Sequence, residues 1–264
     1  MSKQSAMTAT ARHSAKPIVF CDFDGTVTQA DVTDCILEEL ADPSWRELEV
    51  AWVGGQIGSR ECLERQMALV QASPKQLNLL IDGIAIDPGF SSFYRFTEKS
   101  GMPFYILSDG FDYVVRRLLR RAGVDGELRN GKHLFTSSME LEGNRVRVSF
   151  PHDPMVCEHG CATCKAAIIQ RVGRGHEPII FIGDGLSDRF AVEHSDLIFA
   201  KKHLLAHCRK NEIPCLPFDT FAEIEAALAE MFEAVTGLNR VAGHKPGKSK
   251  AAGLGARHRV SFAD

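Results

Sequence analysis

Three short apolar runs, Ile18 to Asp22, Phe104 to Ser108 and Ile179 to Gly183, each lead straight into a polar cluster: DFDGT, SDG and GDGLSD. Helical stretches separate them, and a fourth run, Leu197 to Ala200, follows. Short β-rich runs alternating with helices read as a parallel sheet with crossover helices. In open parallel α/β sheets the ligand crevice lies outside the carboxyl ends of the strands, so three polar clusters at three strand ends can converge on one site.

From about residue 31 to 85 there is no comparable strand signal. Asp31 to Leu40, Trp45 to Trp52, Arg60 to Gln71 and Pro74 to Ile81 space their apolar residues by three and four, which predicts a helical insert, a cap. Within Glu127 to Phe150, the turn residues GK and EGN and the alternating Arg145-Val146-Arg147-Val148 predict a β-hairpin leaving the core. Residues 17–30 and 86–236 then make the core and 31–85 the cap. Residues 1–16 lack hydrophobic periodicity and read as a flexible leader. Residues 237–264 carry five Gly, six Lys or Arg and one acid, a local charge of +5 against −8 for the remainder, and read as a disordered basic tail. With Phe262 its only aromatic and no nucleic-acid-binding motif, the tail is expected to be solvated rather than bound to nucleic acid.

The chain of 264 residues sets 31 Lys and Arg against 34 Asp and Glu, a net charge of −3, which excludes a chain-wide polyanion trap. Its 44% hydrophobic content is enough for a sizeable core and excludes disorder of the whole chain. No apolar run approaches the ~20 residues of a membrane span, and the leader has no apolar core of a secretory signal. The expectation is a cytoplasmic protein with no membrane contact. Of eight cysteines, Cys21, Cys35, Cys62, Cys208 and Cys215 are scattered in apolar or helical surroundings and read as reduced packing residues, not a disulfide framework. Oligomeric state leaves no mark.

Asp22 and Asp24 flank Phe23 just after the first strand, and Gly25 lets the chain turn so that both face one crevice. Asp184 and Asp188 add two more carboxylates at another strand end. Like charges so crowded raise one another's pKa unless a cation compensates them, and an all-oxygen set selects a hard ion, here Mg²⁺ on Asp22, Asp24, Asp184 and Asp188. A cation beside a carboxylate can neutralise a phosphate dianion enough for that carboxylate to attack phosphorus. Asp22 is the better nucleophile, and Asp24 can serve as general acid and base. Ser108, Asp109, Gly110 and Lys165 supply a hydroxyl, a strand-end loop, a backbone N–H and a positive charge, a phosphate clamp.

DFDGTVT, the Ser of ILSDG, Lys165 in CKAAII and the acids of GDGLSD resemble, in order and spacing, the four motifs of the haloacid-dehalogenase-like phosphatases, over Ile18 to about Phe232. The resemblance implies a Rossmann-like, mostly parallel sheet flanked by helices, with aspartyl-phosphate chemistry on Asp22. An insert directly after the first motif is similar to the small helical cap of the phosphoserine-phosphatase-like subgroup. PHDPMVCEHGCATCK, IGDGLSD and SDLIFAKKHLLAHCRKNEIPCLPF are similar to the methionine-salvage branch of that subgroup. That likeness implies dephosphorylation of 2-hydroxy-3-keto-5-methylthiopentenyl 1-phosphate.

Positions matching the cap acid and arginine of phosphoserine phosphatases are Asp31 and Arg65. Asp31 could equally be a helix N-cap, and Arg65 a solvated residue of SRECLERQMALV. SDG and Ser187, where phosphoserine phosphatases tend to have SGG and Asn, argue against serine specificity. Phosphoserine hydrolysis, phosphotransfer to another acceptor and a catalytically silent binding protein of the same fold are the alternatives. Cys157, Cys161 and Cys164, spaced C-x₃-C-x₂-C near His152 and His159, could hold Zn²⁺, form a redox switch, or remain plain reduced thiols. Trp45 and Trp52, seven apart, are expected on one core face of a helix, and Asp82 and Asp87 at the turns of a cap hinge.

Overall fold

A computed structural model describes residues 16–124, 126, 128, 130–152 and 157–242, with 234–242 as backbone alone. The leader before Lys16 and the segment 243–264 lie outside the described residues. The chain divides into two units, Met1–Glu225 and Ala226–Asp264. The first holds the sheet, the cap and every candidate site residue.

Seven strands form one sheet: β1 Lys16–Cys21, β2 Phe104–Phe111, β3 Leu134–Glu142, β4 Arg145–Ser149, β5 His176–Gly183, β6 Leu197–Ala200 and β7 Leu216–Pro217. Their order is β4-β3-β2-β1-β5-β6-β7, and every pairing is parallel except β3 with β4. The order reverses at β1, which pairs with β2 on one side and β5 on the other, aligning Cys21 with Ile106 and Ile182. A crevice opens at such a switch point, and Asp22 is the first residue beyond it.

Ile18, Val19, Phe20 and Cys21 are all fully buried, as a strand covered on both faces requires. One face packs Ile18, Phe20, Leu107 and Phe181 with Ile168 and Ile169 of α7, Lys165–Val172, and Leu204 and Cys208 of α8, Lys202–Lys210. Elsewhere Phe104 meets Phe90 and Phe93 of α5, Phe90–Lys99, with Phe221 on Phe90 at a 5.2 Å centroid distance. α6, Asp112–Arg121, follows β2. The predicted hairpin is β3 and β4, but the first part of β3 stays in the sheet, pairing with β2 from Leu134 to Ser137. The last helix, α9, runs from Phe221 to Ala242, six residues into the stretch read as a disordered tail. Gly237 sits inside it, since one glycine costs a helix only about 1 kcal/mol.

The insert is four helices: α1 Val32–Leu40, α2 Trp45–Val53, α3 Ser59–Met67 and α4 Pro74–Gly83. Ser73 and Gln76 close a capping box ahead of α4, with Pro74 as its first residue, the arrangement that most sharply sets a helix start. The chain departs and returns side by side: Thr28 bridges Ile86, Gln29 N–H donates to the Ala85 carbonyl at 2.9 Å, and Asp87 N–H to the Val27 carbonyl at 2.9 Å. Buried Asp87 accepts from Gly89 N–H at 2.8 Å and Phe221 N–H at 3.4 Å. Asp82 pairs with Arg117 of α6 at 2.5 Å, tying the end of the cap to the core. No described helix is long and apolar enough to cross a membrane.

Candidate active site

Beyond β1 the chain folds into a tight turn in which the N–H groups of Thr26, Val27 and Thr28 all donate to the Phe23 carbonyl, with Gly25 at φ +70°. Asp22 stays buried at the strand end, and Lys165, the first residue of α7, reaches it with Nζ 2.7 Å from Oδ1. The same ammonium lies 2.5 Å from Asp188 Oδ1 and 3.3 Å from Ser187 Oγ. Asp188 Oδ2 accepts the N–H groups of Asp184 and Gly185 at 3.1 and 3.0 Å. Asp184 accepts from Thr26 Oγ1 and from Lys202 Nζ, each at 3.0 Å.

Carboxylate oxygens of Asp22, Asp184 and Asp188 all lie within 4.8 Å of one another. Burial and the charge of Asp188 push the Asp22 carboxyl well above the usual range, against the pull of Lys165. Burial likewise raises Asp188, with Lys165 opposing and Asp184 adding to the rise. Burial works against the Lys165 ammonium, yet Asp188 and Asp22 outweigh it and hold the charge on. The three buried carboxylates of Asp22, Asp184 and Asp188 repel one another at this range, a cation among them would relieve that repulsion, and an all-oxygen donor set suits a hard one.

Asp24 does not turn to this group. Its Oδ2 accepts from Ser108 Oγ at 3.1 Å, and its Oδ1 is buried without a partner. Burial, with the charge of Asp31 adding to it, pushes its carboxyl up to about 8, so it is mostly protonated at neutral pH. The side chain is therefore poorly placed as the fourth metal carboxylate that the sequence led us to expect. Ser108 Oγ also accepts the Gly110 N–H at 2.9 Å. Asp109 lines the cleft, and its Oδ1 accepts from Thr163 N–H at 2.9 Å, which ties down the loop before Lys165.

A cleft of about 530 Å³ opens above these groups. Asp31 lines it and also caps α1, its side chain accepting from Asp34 N–H at 3.0 Å. Arg65 does not line it; its guanidinium pairs with Glu61 at 3.0 Å on the exposed face of α3. The two tryptophans part company: Trp45 is buried in the cap, and Trp52 forms cleft wall. Thr26, Lys202 and His203 escaped the sequence reading. Lys202, at φ +46°, an uncommon conformation for a side-chain-bearing residue, sends its Nζ to the Gly25 carbonyl at 3.0 Å. The signal was there, since β6 also ends in a polar cluster, KKH.

Cys157, Cys161 and Cys164 also come together, their sulfurs all within 4.8 Å of one another and none in a disulfide. Neither histidine joins them: His159 stacks flat on Phe190 with centroids 3.8 Å apart, and His152 packs edge-on against Phe135.

The sequence of residues 19–193 matches the model of the haloacid dehalogenase-like hydrolases. A 2-hydroxy-3-keto-5-methylthiopentenyl-1-phosphate phosphatase of Bacillus velezensis is 30% identical over 220 residues, 82% of this chain and 92% of that one. Its namesake from Geobacillus kaustophilus is 30% identical over 81% of this chain and 96% of its own. In fold the chain is similar to a substrate-bound phosphoserine phosphatase, with a TM-score of 0.61 at 17% identity over 79% of this chain and 96% of the other. Four carboxylates and a buried lysine at the switch point of a parallel sheet, together with these relatives, establish that the chain belongs to the haloacid dehalogenase-like hydrolase family, among its phosphatases.

Proposed function

We propose that the chain hydrolyses a small phosphate monoester by attack of Asp22 on phosphorus, and that Asp22, Asp184 and Asp188 hold Mg²⁺ for this reaction. The reading is carried by one observation, the contact of Asp22, which lines the cleft, with buried Lys165, itself held by Asp188, at 2.7 and 2.5 Å. Bound there, Mg²⁺ supplies charge neutralisation for the phosphoryl oxygens. Lys165 adds a fixed positive charge. An Asp22 carboxylate oxygen forms a bond to phosphorus as the ester P–O bond breaks, and Asp24, protonated, gives its proton to the departing oxygen. Asp24, now ionised, then takes a proton from water as that water attacks the aspartyl phosphate, releasing inorganic phosphate and restoring both carboxyls. Ser108 orients Asp24 between the two steps.

Gly110 leaves the space Asp24 occupies: a Cβ there would lie 2.0 Å from Asp24 Oδ2. Gly110→Ala is expected to lower kcat about 100-fold by turning the acid off its line, with circular dichroism unchanged. Activity within threefold of wild type would show that the orientation of Asp24 is unimportant.

The cap side of the cleft is lined by Thr33, Asp34, Glu49, Trp52, Val53, Ser59, Cys62, Leu63 and Gln66. No arginine or lysine is among these described residues, so the cap offers no cation to the carboxylate of phosphoserine, whereas Trp52, Val53 and Leu63 suit an apolar thioether. The substrate we propose is 2-hydroxy-3-keto-5-methylthiopentenyl 1-phosphate or a close analogue, as the names of the Bacillus and Geobacillus relatives support. The test is phosphate release from this enol phosphate, phosphoserine and an aryl phosphate, with Mg²⁺ or with chelator. Mg²⁺-dependent turnover with kcat/KM for the enol phosphate about 100-fold above phosphoserine is expected; a preference for phosphoserine would refute the assignment. Trp52→Ala should raise KM for the enol phosphate roughly tenfold and leave the aryl phosphate within threefold, measured in the same assay.

A further inference from the structure

We propose that Cys157, Cys161 and Cys164 form a three-thiolate Zn²⁺ site, apart from the carboxylate site, that fastens the loop carrying Lys165 both to the core and to the cap. Tetrahedral zinc with Zn–S bonds of about 2.3 Å places its sulfurs about 3.8 Å apart. The three thiols already lie within 4.8 Å of one another, so a shift of an ångström or less would seat the ion. All three are partly buried residues, close enough to solvent to load an ion. Against burial, backbone N–H groups of Cys161 and His159 hold the Cys157 thiol below the usual range, while burial raises those of Cys161 and Cys164, so two of the three protons leave only as the ion binds. Zinc is the divalent ion that a soft sulfur set selects, and Mg²⁺ is not. Three protein ligands leave one coordination position for water.

The loop needs such a fastening. Its described residues between β4 and α7 form no helix or strand, yet three parts of the site depend on it. Cys164 is the N-cap of α7, so a bond to its sulfur anchors the residue directly before Lys165. Thr163 N–H reaches Asp109 at 2.9 Å, beside the Ser108 and Gly110 pair. On the cap side, the Gly160 carbonyl accepts from Arg60 N–H at 3.1 Å, Ala162 N–H donates to Ser59 Oγ at 3.0 Å, and Gly58 and Gly160 touch backbone to backbone. One ion at the three sulfurs would hold the phosphate-site lysine and the docked end of α3 in a single frame.

The experiment measures zinc by mass spectrometry in full-length protein purified under reducing conditions and dialysed. It compares wild type, a variant with all three cysteines changed to serine, the milder Cys161→Ala, and Asp184→Asn. About one zinc per chain is expected in wild type and Asp184→Asn, and about one-tenth or less in both cysteine variants. Replacing zinc by Co²⁺ should give sulfur-to-cobalt charge-transfer absorption in wild type and in Asp184→Asn. Because the serine variant could fail to fold, thiol-reagent labelling of wild type is the second readout: zinc should protect three thiols and Mg²⁺ none. Zinc lost in Asp184→Asn but kept in Cys161→Ala would place the ion on the carboxylates and overturn the proposal. So would a wild type that takes up no zinc, with equal thiol reactivity in its presence and absence, or a disulfide between two of the three in protein purified with reductant.

Discussion

Asp22→Asn is expected to lower kcat for phosphate release by roughly 10⁴-fold or more while leaving the fold intact. A carboxamide keeps an oxygen to accept from Lys165, which in the parent lies 2.7 Å from Asp22 Oδ1, but it is no nucleophile toward phosphorus. The substitution also removes one of three mutually repelling buried carboxylates, so thermal stability should hold or rise. The check pairs steady-state phosphate release at saturating Mg²⁺ with calorimetry. Asp24→Asn makes the informative contrast. It should cost about 10²- to 10⁴-fold on an alkyl ester, whose leaving oxygen needs a proton, and markedly less on an aryl phosphate with a good leaving group. Equal losses on both esters would remove Asp24 from the protonation step, and an Asp22→Asn enzyme within tenfold of wild type would remove Asp22 as nucleophile.

Lys165→Met should be the most destabilising substitution in the site. The side chain is 2% exposed and contacts Asp22 and Asp188 at 2.7 and 2.5 Å. Replacing it with an apolar chain of similar length strands two facing carboxylates in the interior. Breaking a buried ion pair from one side costs about 3–5 kcal/mol, which for a chain of this size lowers Tm by roughly 6–20 °C. Added Mg²⁺ should recover part of that loss, since a cation on the same carboxylates compensates the charge the lysine supplied. Calorimetry with and without Mg²⁺ decides the matter. A Tm within about 2 °C of wild type would mean that Asp22 and Asp188 are neutral in the folded protein and that the lysine does not hold them charged.

Residues at strand ends were legible because the rule that puts ligands there needs only the order of strands and helices. Asp22, Ser108 and Asp184 each follow or end an apolar run, and the fold brings them to one place. The same rule applied to β6 would have found Lys202, but four residues of strand ahead of a helix drew less notice. Of the two readings of Arg65 the solvated one fits, and Glu61 four residues before it stands at the spacing at which a helix pairs its own charges. Trp45 and Trp52 share a helical face as their spacing requires, yet at about 1.5 Å per residue they are about 10 Å apart along the axis. That distance is enough for one face to run from cap interior to cleft wall. Asp109 and the cysteine cluster were visible as residue types; their partners, Thr163 N–H and one another, are set by how the loop before α7 closes, which no local period encodes.

The paired backbone at Val27–Gln29 and Ala85–Asp87 has a consequence for how a chain like this can change over time. Both junctions of the insert sit at one spot, so everything between them can be lengthened, shortened or exchanged while the two ends stay where they are, and loop-closure entropy grows only slowly with what is inserted. The strand register underneath does not record the substitution. On the function proposed above, the cap side of the cleft lies on a stretch of sequence apart from the four carboxylates, so residues 30–84 can be edited with those carboxylates untouched.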